Sequence, residues 1–205
     1  MKNDYLKYYK SSVLPVLIGI LLLIVFSAKE YWQLSISIFG IVSAIMVAIS
    51  TYLWKYKPFI WLFNVDDFSG RYVGTLKYQY RDESGQVKIG ELEHIKLINQ
   101  NGSRITVSSF TIKADGTKSS LSVNKGMYVE KTEDEQHYRL IYNYLNEGST
   151  EQGFPPHYGT EVIKFIKNGK NKTLSGGYYT GREPFQTRGD FSELKWINNN
   201  LNHEF

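Results

Sequence analysis

Late in the chain, the run Ser175-Gly-Gly-Tyr-Tyr-Thr-Gly-Arg182 spaces Tyr178, Thr180 and Arg182 two residues apart, and Gln186-Thr-Arg-Gly189 follows. In a strand, alternate side chains point to one face. Leu174, Gly176, Tyr178, Thr180 and Arg182 then form a column that begins apolar and ends with a hydroxyl and a guanidinium. Such a column suits a ligand with flat bases and a charged backbone, because tyrosine stacks on bases while arginine and threonine donate to phosphate oxygens. A second column, Tyr72, Gly74, Leu76, Tyr78 and Tyr80, lies on an earlier β segment, and a third holds Tyr138, Leu140, Tyr142 and Tyr144. Tyr72, Tyr78, Tyr142, Tyr178, Thr180 and Arg182 are therefore the candidate ligand-binding residues. Tyrosines on strands also serve β-propensity and packing, so the columns alone do not separate ligand contact from core. Arg182 is the sharper candidate, since a guanidinium facing an interior needs an anionic partner. Arg188 reads as a turn arginine before it reads as a second phosphate contact.

Catalytic readings find less support. Asp66-Asp67 stand just before Phe-Ser-Gly, where adjacent carboxylates turn or cap the chain. Glu91 and Glu93 share a strand face and read as solvated. His94, His137, His157 and His203 lack metal-ligand spacing, and there is no phosphate-cradling glycine loop, nucleophile elbow or zinc motif. The chain reads as a non-enzyme that needs neither metal nor cofactor. Having no cysteine, it has no disulfide or thiolate chemistry, which fits a reducing compartment.

Two kinds of element must position these residues. Ser11–Ala28 holds 18 residues without a charge and Tyr31–Trp54 holds 24. About 20 apolar residues span a bilayer as a helix, so spans are predicted near 11–28 and 31–54, turning at Lys29–Gln33. Lys2, Lys7, Lys10, Lys55 and Lys57 flank the outer ends against Lys29 alone in the turn, which places both ends in the cytoplasm of a multi-pass membrane protein. A cleaved signal peptide is the rival reading of the first span. In the second, Gly40, Ala44 and Ala48 recur every four residues, a spacing that lets helix backbones meet, either within one chain or between copies.

The predicted organisation is a two-helix transmembrane hairpin over 1–57, a junction over 58–68 and a β domain over 69–205. Residues 1–57 hold six of the 24 Lys/Arg and two of the 20 Asp/Glu, leaving 18 of each beyond them. The β domain is charge-balanced, which argues against a surface that tracks polymeric nucleic acid. Its runs of Tyr, Val, Ile and Thr predict eight strands near 70–81, 87–99, 103–114, 117–130, 136–146, 157–167, 171–180 and 187–197, separated by turn signals such as Asn101-Gly102, Asp115-Gly116 and Asn168-Gly169. The expected fold is a membrane-anchored, eight-stranded antiparallel up-and-down β-barrel, with a two-sheet sandwich as the alternative. The connection Asn146–His157 is a linker or a lid.

Gly70-x-Tyr72-x-Gly74, within Asn64–Gly74, resembles the opening strand of lipocalin-like barrels. Together with the Ser175–Arg182 run and the preceding hairpin, the chain resembles the CBASS anti-phage effectors known as two-transmembrane, β-strand-rich effectors, or CD-NTase-associated protein 15. An opening position often held by tryptophan is Tyr72 here. The resemblance implies a cytosolic barrel that binds a cyclic dinucleotide made by a partner nucleotidyltransferase after phage infection. It also implies self-assembly and inner-membrane disruption leading to cell death. The implied partners are a cyclic dinucleotide, inner-membrane lipids and further copies of the chain. Two other readings remain open: a membrane-tethered lipocalin-like carrier or sensor of a lipid or other apolar molecule, and an anchor that displays the barrel to protein partners.

Overall fold

A computed structural model describes residues 5–33, 35–148, 153, 155–182 and 186–205. The chain divides into two compact units, residues 1–67 with 100–105, and residues 68–99 with 106–205.

The first unit is built on a helical hairpin. Helix α1, Leu14–Trp32, has a proline in its first turn, where the missing N–H costs no hydrogen bond, and ends at Gln33 in the left-handed conformation (φ 48°). Helix α2, Ile38–Ala48, begins at Ser37, whose hydroxyl accepts the Gly40 N–H at 3.2 Å, and continues as a π-helical segment, Ile49–Leu53. The turn thus lies after Gln33 rather than over Lys29–Gln33, because the caps sit at Gln33 and Ser37. Val16, Ile20, Leu23, Ile24 and Phe26 stand exposed on α1. Among the described residues α1 is the one helix long and apolar enough to cross a membrane by length and composition, and the apolar helix Ile38–Leu53 is shorter. The leader pairs with the junction through Lys10 N–H to Leu62 C=O and Asn64 N–H to Tyr8 C=O, both 2.8 Å. Tyr9 and Ser50 share a hydroxyl–hydroxyl bond of 2.9 Å, and the Gly102 N–H donates to Ser50 C=O at 2.7 Å.

The second unit is a closed antiparallel barrel. Its strands are β1 (Gly70–Arg81), β2 (Val87–Gln100), β3 (Ile105–Ile112), β4 (Lys118–Asn124), β5 (Tyr128–Lys131), β6 (Tyr138–Asn146), β7 (His157–Asn168), β8 (Asn171–Thr180) and β9 (Thr187–Asn198). They follow the order β4-β3-β2-β1-β9-β8-β7-β6-β5, and β4 also pairs with β6. That last pairing closes eight strands into a ring. The expected fourth strand, 117–130, is two strands that take separate stretches of β6: Ser122–Asn124 lie against Tyr144–Asn146, and Tyr128–Lys131 against Tyr138–Ile141. The break falls at Lys125–Gly126, where the Asn124 side chain leaves its own strand to accept the Val107 N–H at 2.8 Å. The other strands keep to within two residues of their expected bounds, because local turn chemistry fixes them. Asp82 accepts from the backbone of Ser84 and Gln86, and Asp115 accepts from Thr117. Of the Asn146–His157 connection, read as a linker or a lid, residues 149–152 and 154 lie outside the described residues.

The end of the barrel where β1 begins is plugged. Phe68, Tyr72, Leu140, Phe165, Leu174 and Leu194 are almost wholly buried, with the Phe68 ring edge-on to Phe165 at 4.8 Å. On the outer face of β2–β4 a second cluster of Ile95, Leu97, Phe110 and Leu121 is covered by Leu201. The tail that carries Leu201 is tied down where Arg71 pairs with Glu204 and Phe110 meets Phe205 at 5.2 Å.

Sharp coiling at the β8–β9 bulge relies on Gly176, whose φ is 153° and where an added Cβ would lie 2.1 Å from the Val162 carbonyl oxygen. Gly176→Ala is expected to lower stability by roughly 1–3 kcal/mol in urea unfolding of the full chain. An unchanged midpoint would show that β8 moves aside at no cost.

Candidate ligand-binding site

Every second residue of a barrel strand faces inward, so the interior is a stack of layers whose chemistry changes with depth. Above the apolar plug sits a layer of charge. Lys96 on β2 donates to Glu161 Oε2 on β7 at 2.7 Å and to Ser109 on β3 at 2.9 Å, and its ammonium lies 4.3 Å from the centre of the Phe191 ring. Tyr142 on β6 donates its hydroxyl to the same Glu161 oxygen at 2.5 Å. Lys96 is fully buried. Burial pulls its ammonium below the ordinary lysine value, while the Glu161 charge pulls the other way. Burial first, and then the Glu161 charge, push the Tyr142 hydroxyl well above the ordinary tyrosine range, so it remains a donor.

Over this layer opens a cavity of about 310 Å³. It lies toward the end of the barrel where β1, β3, β6 and β8 finish. Its walls are aromatic, with Tyr78, Tyr80, Tyr144, Tyr178 and Phe191, and Glu161 and His94 also line it. Two of these rings lie over glycines: a Cβ on Gly90 would come within 2.4 Å of Tyr78, and one on Gly159 within 2.2 Å of Tyr144. Small residues on the neighbouring strands let these rings lie along the wall. Burial and the Glu161 charge raise both Tyr144 and Tyr178, keeping their hydroxyls protonated.

Polar groups concentrate elsewhere along the lining, with Thr180, Arg182, Thr187, Ser120, Asn146 and His157. The Thr180 hydroxyl oxygen accepts the Thr187 N–H at 3.0 Å and the Arg182 N–H at 3.4 Å. Its oxygen being used by the backbone, what it offers the cavity is its proton. Partial burial pulls the Arg182 guanidinium below the ordinary arginine value, against the pull of Tyr80 and Tyr178. The guanidinium keeps its charge regardless.

Of the six residues singled out from the sequence, Tyr78, Tyr178, Thr180 and Arg182 line the cavity together. The other two lie deeper. Tyr72 is in the plug and donates to the Phe68 carbonyl at 2.8 Å, and Tyr142 is engaged with Glu161. Arg188 alternates with the inward-facing Thr187 and lines a separate outer depression with Gln79, Arg81 and Tyr179. Sequence reasoning passed over Glu161 and Lys96 and weighed His94 only as a metal ligand. The signal was present, since Gly159-x-Glu161-x-Ile163-x-Phe165 puts a carboxylate in an inward apolar column and His94-x-Lys96-x-Ile98 does the same with a cation.

A closed barrel with an internal cavity, aromatic on its walls and studded with polar groups, defines the class of small-ligand-binding barrels. Within that class the sequence is more specific. Residues 63–195, more than half of the chain, match the family model described as Cap15, cyclic dinucleotide receptor domain, and the chain belongs to this family. No curated protein and no solved structure matches it.

The buried pair makes a separate claim on stability. Glu161→Gln alone strands the Lys96 charge and is expected to cost about 3–5 kcal/mol, whereas Lys96→Met combined with Glu161→Gln removes both charges and costs much less than the two single changes together. Urea unfolding of the wild type, both single variants and the double variant measures the coupling. Additive losses would show that the two side chains do not depend on each other.

Proposed function

We propose that this chain is the membrane effector of a CBASS anti-phage system, in which the barrel senses a cyclic dinucleotide and the hairpin disrupts the inner membrane. The observation that carries the sensing step is the cavity itself: aromatic walls for bases, with Arg182 and the Thr180 hydroxyl proton for phosphate oxygens, in a domain of the Cap15 receptor family. The barrel works as a receptor, binding without making or breaking bonds. A carrier of apolar molecules would need an apolar lumen, and Glu161 and Arg182 set charged groups on the wall of this one.

Titration calorimetry of the full chain in detergent with cyclic dinucleotides built from adenine, guanine, cytosine and uracil tests the site. Arg182→Ala is expected to weaken binding of the best ligand by roughly 1.5–3 kcal/mol, the worth of a charge-assisted hydrogen bond. Equal affinity would remove Arg182 from the site.

In the membrane step, the lysine asymmetry supports a barrel on the cytoplasmic side, with α2 and its π-helical continuation as the second crossing. Two helices cannot enclose a channel, so damage requires several copies, and ligand shifts their assembly by binding the assembled state more tightly than the free one. Gly40 and Ala44 stand exposed on α2, which supports their use between copies. Replacing both with Leu is expected to abolish ligand-triggered dye leakage from liposomes while leaving calorimetric affinity unchanged. Undiminished leakage would show that assembly uses another face.

A further inference from the structure

Two groups lining the cavity are left with hydrogen-bonding capacity that the barrel does not use. Glu161 accepts from Lys96 and from Tyr142, and both bonds fall on Oε2. Among the described residues no donor reaches Oε1. Opposite the β7 strand, His94 on β2 is 4% exposed, yet neither ring nitrogen has a partner. Its ring tilts over Phe191 at 4.7 Å, and the same Phe191 ring lies beneath the Lys96 ammonium. His94 and Lys96 therefore share one aromatic side chain, Lys96 bonds Glu161 at 2.7 Å, and both Glu161 and His94 line the cavity at the charged layer over the plug. Buried polar groups are nearly always paired, and a carboxylate oxygen and an imidazole with two idle nitrogens on the wall of one cavity mark a place for a ligand's polar edge.

From these groups we infer that Glu161 and His94 form a base-reading subsite that selects a cyclic dinucleotide carrying an amino-bearing base. The inference rests on the receptor reading above and names what that receptor discriminates. A carboxylate oxygen can only accept, so the edge facing Oε1 must donate. His94 is held neutral by burial, with the Lys96 charge adding to the effect, and so offers one donor and one acceptor. Adenine and cytosine meet this pair with an exocyclic amine next to an unprotonated ring nitrogen, and guanine meets it with an amine and an imino N–H beside ring acceptors. Uracil does not: its single ring N–H is flanked on both sides by carbonyl oxygens, which the carboxylate repels. The cavity volume is at the lower end of the range for ligand pockets, so one base enters to this depth while the phosphates remain with Arg182 and Thr180.

The test uses the full chain in detergent and calorimetry with cyclic dinucleotides of adenine, guanine, cytosine and uracil in all pairings. To these is added the analogue of the best binder whose amino groups are replaced by hydrogen. The best binder is expected to contain an amino-bearing base, and its desamino analogue to bind roughly 10- to 100-fold more weakly. Tightest binding by cyclic di-UMP, or equal affinity for the desamino analogue, overturns the inference while leaving the receptor reading intact. Absence of binding by every compound overturns both. In the Lys96→Met/Glu161→Gln double variant, where no charge is stranded, the preference for the amino group is expected to shrink to within about 3-fold, since an amide both donates and accepts. A full preference in that variant removes Glu161 from the subsite. His94→Phe keeps a flat ring and loses both nitrogens, and it is expected to weaken the best binder about 10-fold. Unchanged affinity in that variant removes His94.

Discussion

Three residue pairs, Ser122 with Asn146, Val123 with Leu145 and Asn124 with Tyr144, join β4 to β6 and turn a sheet into a ring. Without them the inner face of every strand would need some other partner. Once the ring is closed at eight strands, its interior is just wide enough for side chains to meet across it, so what fills each layer is decided by which residues alternate inward. The plug, the charged layer and the cavity are three answers to that one geometric constraint. The break after Asn124 is part of the closure, since it lets β6 pair with β4 along one stretch and with β5 along another.

A buried ion pair is an unusual filling for a small barrel, since desolvating two charges costs about as much as their attraction returns. Here the geometry offsets the cost with further partners: Ser109 and the face of Phe191 for the ammonium, and the Tyr142 hydroxyl for the carboxylate. An apolar layer at the same depth would hold the barrel at least as well. The charged layer gives the cavity a polar inner end, and it does so with residues from β2, β6 and β7, all anchored in the rigid wall rather than in loops.

The strands were legible because their signals are local. Alternation identified the inward columns on β1, β6 and β8, and aspartate- and glycine-bearing turns placed the ends. The fourth strand was misread as continuous because its division depends on β6, whose pairing is not written in residues 117–130. Depth was equally invisible. Tyr72 and Tyr78 share a face, yet one is in the plug and the other on the cavity wall, and only the ring of neighbouring strands separates them. Glu161 and Lys96 are 65 residues apart, and each alone reads as an ordinary solvated charge until alternation is checked against the apolar residues around it. In the hairpin, composition identified both apolar runs, while the turn moved because Ser37 and Gln33 cap the helices more decisively than Lys29 and Glu30 interrupt them.

The barrel keeps its plug at one end, with the charged layer over it and the cavity beyond that layer. Such an arrangement separates inheritance from innovation. Changes at Ser120, His157 and Arg182 can alter what the cavity accepts without disturbing Phe68, Leu140 or Leu194, which fill the plug. A receptor built in this way can have its lock re-cut while the door stays on its hinges.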